Sequence, residues 1–144
     1  MQWDELAATS HHQTAVAIRD HLAEGHVEEA SIGLEELIEA LSRSEKRALR
    51  SQLVRLMTHV IKWKSRPDAR SRSWALTIWN ARNEIADIRE ETPSLSRDVV
   101  LEMWDTCFRR AREGAEQETG SSCDVGRLTW EDVFDASYSI PEAS

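Results

Sequence analysis

Residues that break helices are nearly missing from this chain. Five glycines and three prolines among 144 residues leave long uninterrupted stretches, and the natural divisions are Gly25, Pro67, Pro93 and the stretch from Gly120 to Gly126. Cysteine is as scarce. Cys107 and Cys123 are too few for a disulfide framework and lack the spacing of zinc ligands, so a reducing cytoplasmic setting is expected. No apolar run approaches the roughly 18 residues that cross a bilayer, and Met1 to Glu5 has neither the cationic nor the apolar region of a secretory signal. A glycine-rich phosphate loop, a nucleophile elbow, a usable Cys–His arrangement and a Glu-x-x-His pair are all missing. These absences argue against nucleotide-loop, thiol and di-metal carboxylate chemistry. The sequence calls for no cofactor and no metal.

What is there repeats at helical spacing. Ser10-His11-His12-Gln13 reads as a capping box for a helix carrying Val16, Ile18 and Leu22 and closed by Gly25. A second helix is expected from about Val27 to Leu41, with Ile32, Leu34, Leu37, Ile38 and Leu41 inward. A serine cap at Ser42-Arg43-Ser44-Glu45 would open a third, with the stripe Leu49, Leu53, Leu56, Val60, Trp63. Past Pro67 and Asp68, a fourth carries Trp74, Ile78, Ala81, Ile85 and Ile88. A fifth starts at Ser94 or Ser96 and carries Val100, Trp104, Cys107, Ala111 and Ala115. Thr129-Trp130-Glu131-Asp132 caps a short last helix ending near Ser137. The fold class is therefore all-α: one helical-bundle domain over residues 1–144, of about five helices and a short C-terminal one.

Charge is segregated along the chain. Residues 1–42 carry a formal −8, residues 43–82 carry +9, and residues 83–144 carry −9. The second helix would show an acidic face (Glu28, Glu29, Glu35, Glu36, Glu39) and the third a basic one (Lys46, Arg47, Arg50, Arg55, Lys62, Lys64). As antiparallel neighbours they would attract across their rims, at about 0–1 kcal/mol per exposed pair.

Three motif groups, Arg43-Ser44-Glu45-Lys46-Arg47-Ala48-Leu49, His59-Val60-Ile61-Lys62-Trp63 and Arg70-Ser71-Arg72-Ser73-Trp74, resemble the bacterial "domain of unknown function 29" family. Thr92-Pro93-Ser94-Leu95, Ala111-Arg112, Glu118-Thr119-Gly120 and the Thr129-Trp130-Glu131 to Pro141 tail extend the likeness over nearly the whole chain. The resemblance implies a small all-helical cytoplasmic protein and names no activity. Two departures stand out. Glu36 and Glu39 match the family's paired glutamates, but its neighbouring aspartate is absent, and of its aromatic-rich N-terminus only Trp3 is left.

The candidate site lies in the basic middle. Arg70 and Arg72 fall where the fourth helix opens, at the positive end of its dipole, so some negative group is expected beside them. One option is an internal ion-pair cluster with Glu36 and Glu39. The other is a bound anion held by both guanidinium groups and the Ser71 and Ser73 hydroxyls. His59, Lys62 and Trp63 share one helical face, which fits a general base or ligand beside a cation, or a core-edge histidine bonded to a glutamate of the second helix. A mononuclear metal site from Glu36, Glu39 and His59 would need those helices side by side. His11, His12, His21 and His26 show no i, i+4 pair and read as solvated. Trp79 falls one residue past the core Ile78. It is either partly exposed, suited to stacking on a base or anchoring a partner, or a plug against the C-terminal tail.

The function expected from these features is non-catalytic. A basic central face built from Lys46, Arg47, Arg50, Lys64, Arg66 and Arg82 would contact an acidic partner, either nucleic acid or protein. The alternative is a small hydrolase or nuclease-like enzyme with a phosphate or metal site around His59, Lys62, Arg70 and Arg72. A third reading is a subunit that dimerises through Trp79.

Overall fold

Ser10 ends one helix and starts the next. Its N–H closes α1 (Trp3–Thr9) on the Leu6 carbonyl at 2.9 Å, and its hydroxyl accepts from the Gln13 N–H at 3.1 Å to open α2 (His11–Ala23). Half of the expected capping box forms: Ser10 caps Gln13, but the Ser10 N–H goes to Leu6 and not to the Gln13 side chain, and α1 is an element the sequence reading did not anticipate. Gly25 follows α2 at φ +85°, a left-handed conformation that glycine adopts at least cost. These coordinates come from a computed structural model that describes residues 1–141; the last three of the 1–144 span lie outside the described residues. Among the described residues the chain is all-α, and it divides into two compact units, Met1–Arg47 and the remainder from Ala48.

The expected stop at Leu41 does not occur. α3 runs from Val27 to Ser65, 39 residues without a break. Ser42 and Ser44 lie inside it, where a serine costs only a few tenths of a kcal/mol relative to better helix formers. The acidic and basic helices expected as antiparallel neighbours are successive stretches of one helix, so the pairing across their rims does not form.

In the first unit, Trp3, Ile18 and Ala30 are buried, with Leu6, Ala17 and Leu37 packed against them. The inward face of α3 is mostly small, Ala30, Gly33 and Ala40, and of the bulky residues expected there only Leu37 packs against this core. Ile32, Leu34, Ile38 and Leu41, expected inward, face out, with Ile38 57% exposed, and Leu22 of α2 does likewise. The reason is Trp3. Its ring lies so close to α3 that a Cβ on Gly33 would stand 2.7 Å from a ring carbon, and its indole N–H donates to Glu29 Oε1 at 2.8 Å. Only a small-residue face allows that approach, so the bulky residues are turned outward.

The second unit has the larger core. The stripe Leu49, Leu53, Leu56, Val60 and Trp63 on α3 is buried throughout, joined by Met57 and Ile61. α4 (Arg72–Glu91) adds Ile78, Ala81 and Ile85. The expected fifth helix is interrupted at Met103, giving α5 (Arg97–Glu102) and α6 (Trp104–Thr119), yet Val100, Cys107, Ala111 and Ala115 all remain fully buried. The C-terminal segment supplies Cys123, Leu128 and Val133. It ends in a π-helical turn, Glu131–Asp135, rather than a helix reaching Ser137. The Thr129 cap is reciprocal: the Asp132 N–H donates to the Thr129 hydroxyl at 3.1 Å, and the Thr129 N–H donates to the Asp132 carboxylate at 2.9 Å.

Tyr138, the chain's single tyrosine, locks this turn. Its hydroxyl donates to the Asp132 carbonyl at 2.6 Å, its ring meets Trp63 edge-on, and Arg82 lies over it. Burial, reinforced by the Asp132 charge, pushes its pKa up to about 12. The unfolded chain releases that proton near pH 10 while the folded protein keeps it. Stability is thus undiminished below pH 10 and falls as pH climbs from 10 towards 12. Ultraviolet titration of the tyrosinate band should give a midpoint near 12; a midpoint near 10 would show that the hydroxyl is not buried as described.

Candidate functional site

The central basic cluster is spent inside the second unit. Arg70 lies before α4 rather than in its first turn, and Ser71 is the N-cap, accepting from the Trp74 N–H at 3.2 Å. The Arg70 guanidinium donates to the Trp63 carbonyl at 2.8 Å and lies over the Trp63 ring. That places it at the negative end of α3, a favourable position, so the electrostatic conflict expected for it does not arise. Lys62 is buried, its ammonium 2.7 Å from Glu118 and 4.6 Å from the centre of the Trp74 ring. His59 is half-buried and its Nδ1–H donates to the Arg55 carbonyl at 2.9 Å, not to a glutamate. Burial lowers its pKa, and the nearby Lys62 adds to that. Arg72 and Ser73 are exposed.

Glu36 and Glu39 belong to the first unit, and Arg70 and Arg72 to the second. Glu39 pairs with Arg43 at 3.9 Å, and both glutamates precede His59 by roughly five to six turns of the same helix. The metal site from Glu36, Glu39 and His59 required a helix hairpin, which the unbroken α3 does not make. Much of the proposed partner face is consumed too. Lys64 pairs with Asp132 at 3.1 Å, Arg66 bonds Ser121 at 3.1 Å, and Arg82 donates to the Val133 carbonyl at 2.8 Å. Burial lowers the Arg82 pKa. Lys46 and Arg50 are half-buried. Trp79 is 62% exposed and is no plug; the rings that meet the C-terminal segment are Trp63 and Trp104.

Cationic groups do converge on a cavity in the first unit. A space of about 290 Å³ is lined by Ala7, Thr9, His11, Arg43, Ser44 and Arg47, with Ala8 and Ala40 completing its walls. The alanines make the room. Arg43 and Arg47 are one turn apart on α3 and therefore share a face. Arg47 is exposed and has no ion pair among the described residues, while Arg43 keeps only its long contact to Glu39. His11 is the first residue of α2, whose first intrahelical bond is made by the Thr14 N–H. The positive end of α2 therefore lies at the cavity with the two guanidinium groups. Chemically, such a set of donors holds an oxyanion.

The family model described as "Domain of unknown function DUF29" matches residues 13–138. The chain belongs to the DUF29 family. No curated protein and no solved structure matches the chain. The DUF29 match takes in Arg43, Ser44 and Arg47 but begins after His11, so the cavity combines residues within the matched span and residues before it. Sequence reasoning named Arg47 alone of this set. The sequence reading treats His11 as solvated and places Arg43 and Ser44 at a helix start. The one signal pointing to the cavity was the pair of arginines four residues apart.

Proposed function

We propose that this DUF29 chain is a non-catalytic binding module whose first unit takes an anionic group of an acidic protein partner. The observation that carries the reading is the cavity at His11, Arg43 and Arg47, where the unpaired Arg47 guanidinium and that of Arg43, held only by its long contact to Glu39, meet the positive end of α2. The unit around it carries ten carboxylates against four cations, a formal −6. That surplus repels a polyanion, so the cavity suits one compact carboxylate or phosphate and not a nucleic-acid strand. Protein contact, including contact with a second copy, is also suited to α4, where Leu76 and Trp79 stand exposed at 56% and 62%. A reducing, cytoplasmic setting goes with this reading, since both cysteines are free and buried. Among the described residues no helix is long and apolar enough to cross a membrane.

Against a hydrolase or nuclease-like centre stands the commitment of Lys62 to Glu118 and of Arg70 to Trp63. Inorganic phosphate is the direct probe of the cavity. Titration followed by amide NMR should shift the signals of His11 and the Arg43–Arg47 turn. Arg47→Glu should weaken binding about tenfold or more, because a hydrogen bond to a charged group contributes about 1.5–3 kcal/mol. Labelled DNA and RNA should show no binding at physiological salt. Phosphate shifts that ignore Arg47→Glu, or salt-sensitive nucleic-acid binding that Arg47→Glu removes, would overturn the reading.

A further inference from the structure

The turn after α2 brings together three side chains that the anion cavity does not use. Glu24 ends the helix, Gly25 reverses the backbone, and the His26 N–H closes on the His21 carbonyl at 2.8 Å. This fold-back sets His26 against His21 although they are five residues apart. The two Nδ1 atoms are 3.2 Å from each other, Glu24 Oε2 is 3.4 Å from His26 Nδ1, and one ligand atom from each residue falls within 4.8 Å of the others.

Those separations have a chemical meaning. Imidazole nitrogens and carboxylate oxygens bind zinc at about 2.0–2.1 Å, which in a tetrahedron leaves neighbouring ligand atoms about 3.3 Å apart. Two of the three edges already have that length. The third, between His21 and Glu24, lies within 4.8 Å, and the Glu24 side chain is 65% exposed. His21 is half-buried and positioned: its ring packs on Trp3, centroids 5.6 Å apart, and Trp3 is itself tied to Glu29. Glu28 and Glu29 line a cavity of about 690 Å³ beside both histidines, adding negative charge that favours a cation.

We infer that His21, Glu24 and His26 form a mononuclear site for a divalent first-row transition metal of the zinc type. Two imidazoles with one carboxylate suit such ions better than magnesium or calcium, which prefer oxygen throughout. Three protein ligands leave the fourth position open to water or to a donor from a bound molecule.

The test uses the full chain with zinc and with cobalt(II) as a spectroscopic substitute. Calorimetric titration should show one equivalent of zinc taken up, and cobalt should give the intense visible bands of a four-coordinate ion. Loss of a mere outer-sphere partner already costs about 10–100-fold in metal affinity, so His26→Ala is expected to weaken binding by about 100-fold or more. Glu24→Gln, which keeps the shape, should weaken it at least about tenfold. Both residues are exposed on the turn, and circular dichroism should show the fold unchanged in each variant. His12→Ala should bind as the parent does. No uptake of zinc, or uptake that either His26→Ala or Glu24→Gln leaves unchanged, overturns the site.

Discussion

Gly33→Leu should detach the N-terminal helix from the first unit. A Cβ at this position would meet three Trp3 ring carbons at 2.7–2.8 Å, where carbon atoms prefer about 3.5–4.0 Å. Trp3 cannot retreat without giving up a 4% exposed position and its bond to Glu29. The expected loss approaches that of truncating a buried tryptophan, about 3–5 kcal/mol. Gly33→Ala introduces the same clash but gains about 1 kcal/mol of helix propensity, so its net cost should be near 2 kcal/mol. The decisive comparison is the double variant. In a Trp3→Ala background the obstacle is gone, and Gly33→Ala should become stabilising by about 1 kcal/mol. Hydrogen exchange at the α1 and α2 amides would read these changes within the first unit. If Gly33→Ala has the same sign in both backgrounds, the ring does not lie where it is described.

The second large effect belongs to the buried ammonium of Lys62, and it is asymmetric. Lys62 is 7% exposed, while the side chain of Glu118 is 52% exposed. Removing the lysine leaves a carboxylate that water already reaches. Removing the glutamate strands a buried cation whose remaining neighbour is the face of Trp74. Breaking a fully buried pair costs about 3–5 kcal/mol, and the half-open position of Glu118 reduces this to about 2 kcal/mol for Glu118→Ala. Lys62→Met fills the same volume with an apolar chain and should cost less than about 1 kcal/mol. Urea unfolding of both variants checks the order. A larger loss for Lys62→Met than for Glu118→Ala would mean that the ammonium is not buried.

The sequence revealed the fold where residues report directly on the backbone, and misled where they report on neighbours. Ser10, Gly25 and Thr129 act within one or two turns of themselves, and each cap or stop is found in its place. The Leu49 to Trp63 stripe is inward because a long helix in a large core shows its bulky side inward. The same rule fails over Val27–Leu41. There the neighbour is one flat indole, and a close approach selects Gly33 and the alanines over leucine and isoleucine. Charge counting fails for a related reason. It treats every arginine as available to an anion, whereas Arg70, Arg82 and Arg89 each donate to a backbone carbonyl, of Trp63, Val133 and Leu95. Helical spacing does not reveal the histidine pair, because a turn through a left-handed glycine follows a different spacing.

The C-terminal segment has a consequence for how the protein is made. Leu128 and Val133 sit in the core of the second unit. The bonds that complete it join residues more than fifty positions apart: Lys62 to Glu118, Ser65 to Cys123 and Arg82 to Val133. Contacts so distant in sequence form late, because the intervening chain must first be closed into a loop. The first unit, by contrast, draws its core from residues 3 to 40. During translation it can close while the ribosome is still adding α4. The rest of α3 emerges meanwhile with Leu49, Leu53, Leu56 and Ile61 uncovered, and they stay so until some seventy further residues have been polymerised. That interval is when this chain is most open to chaperones, or to aggregation.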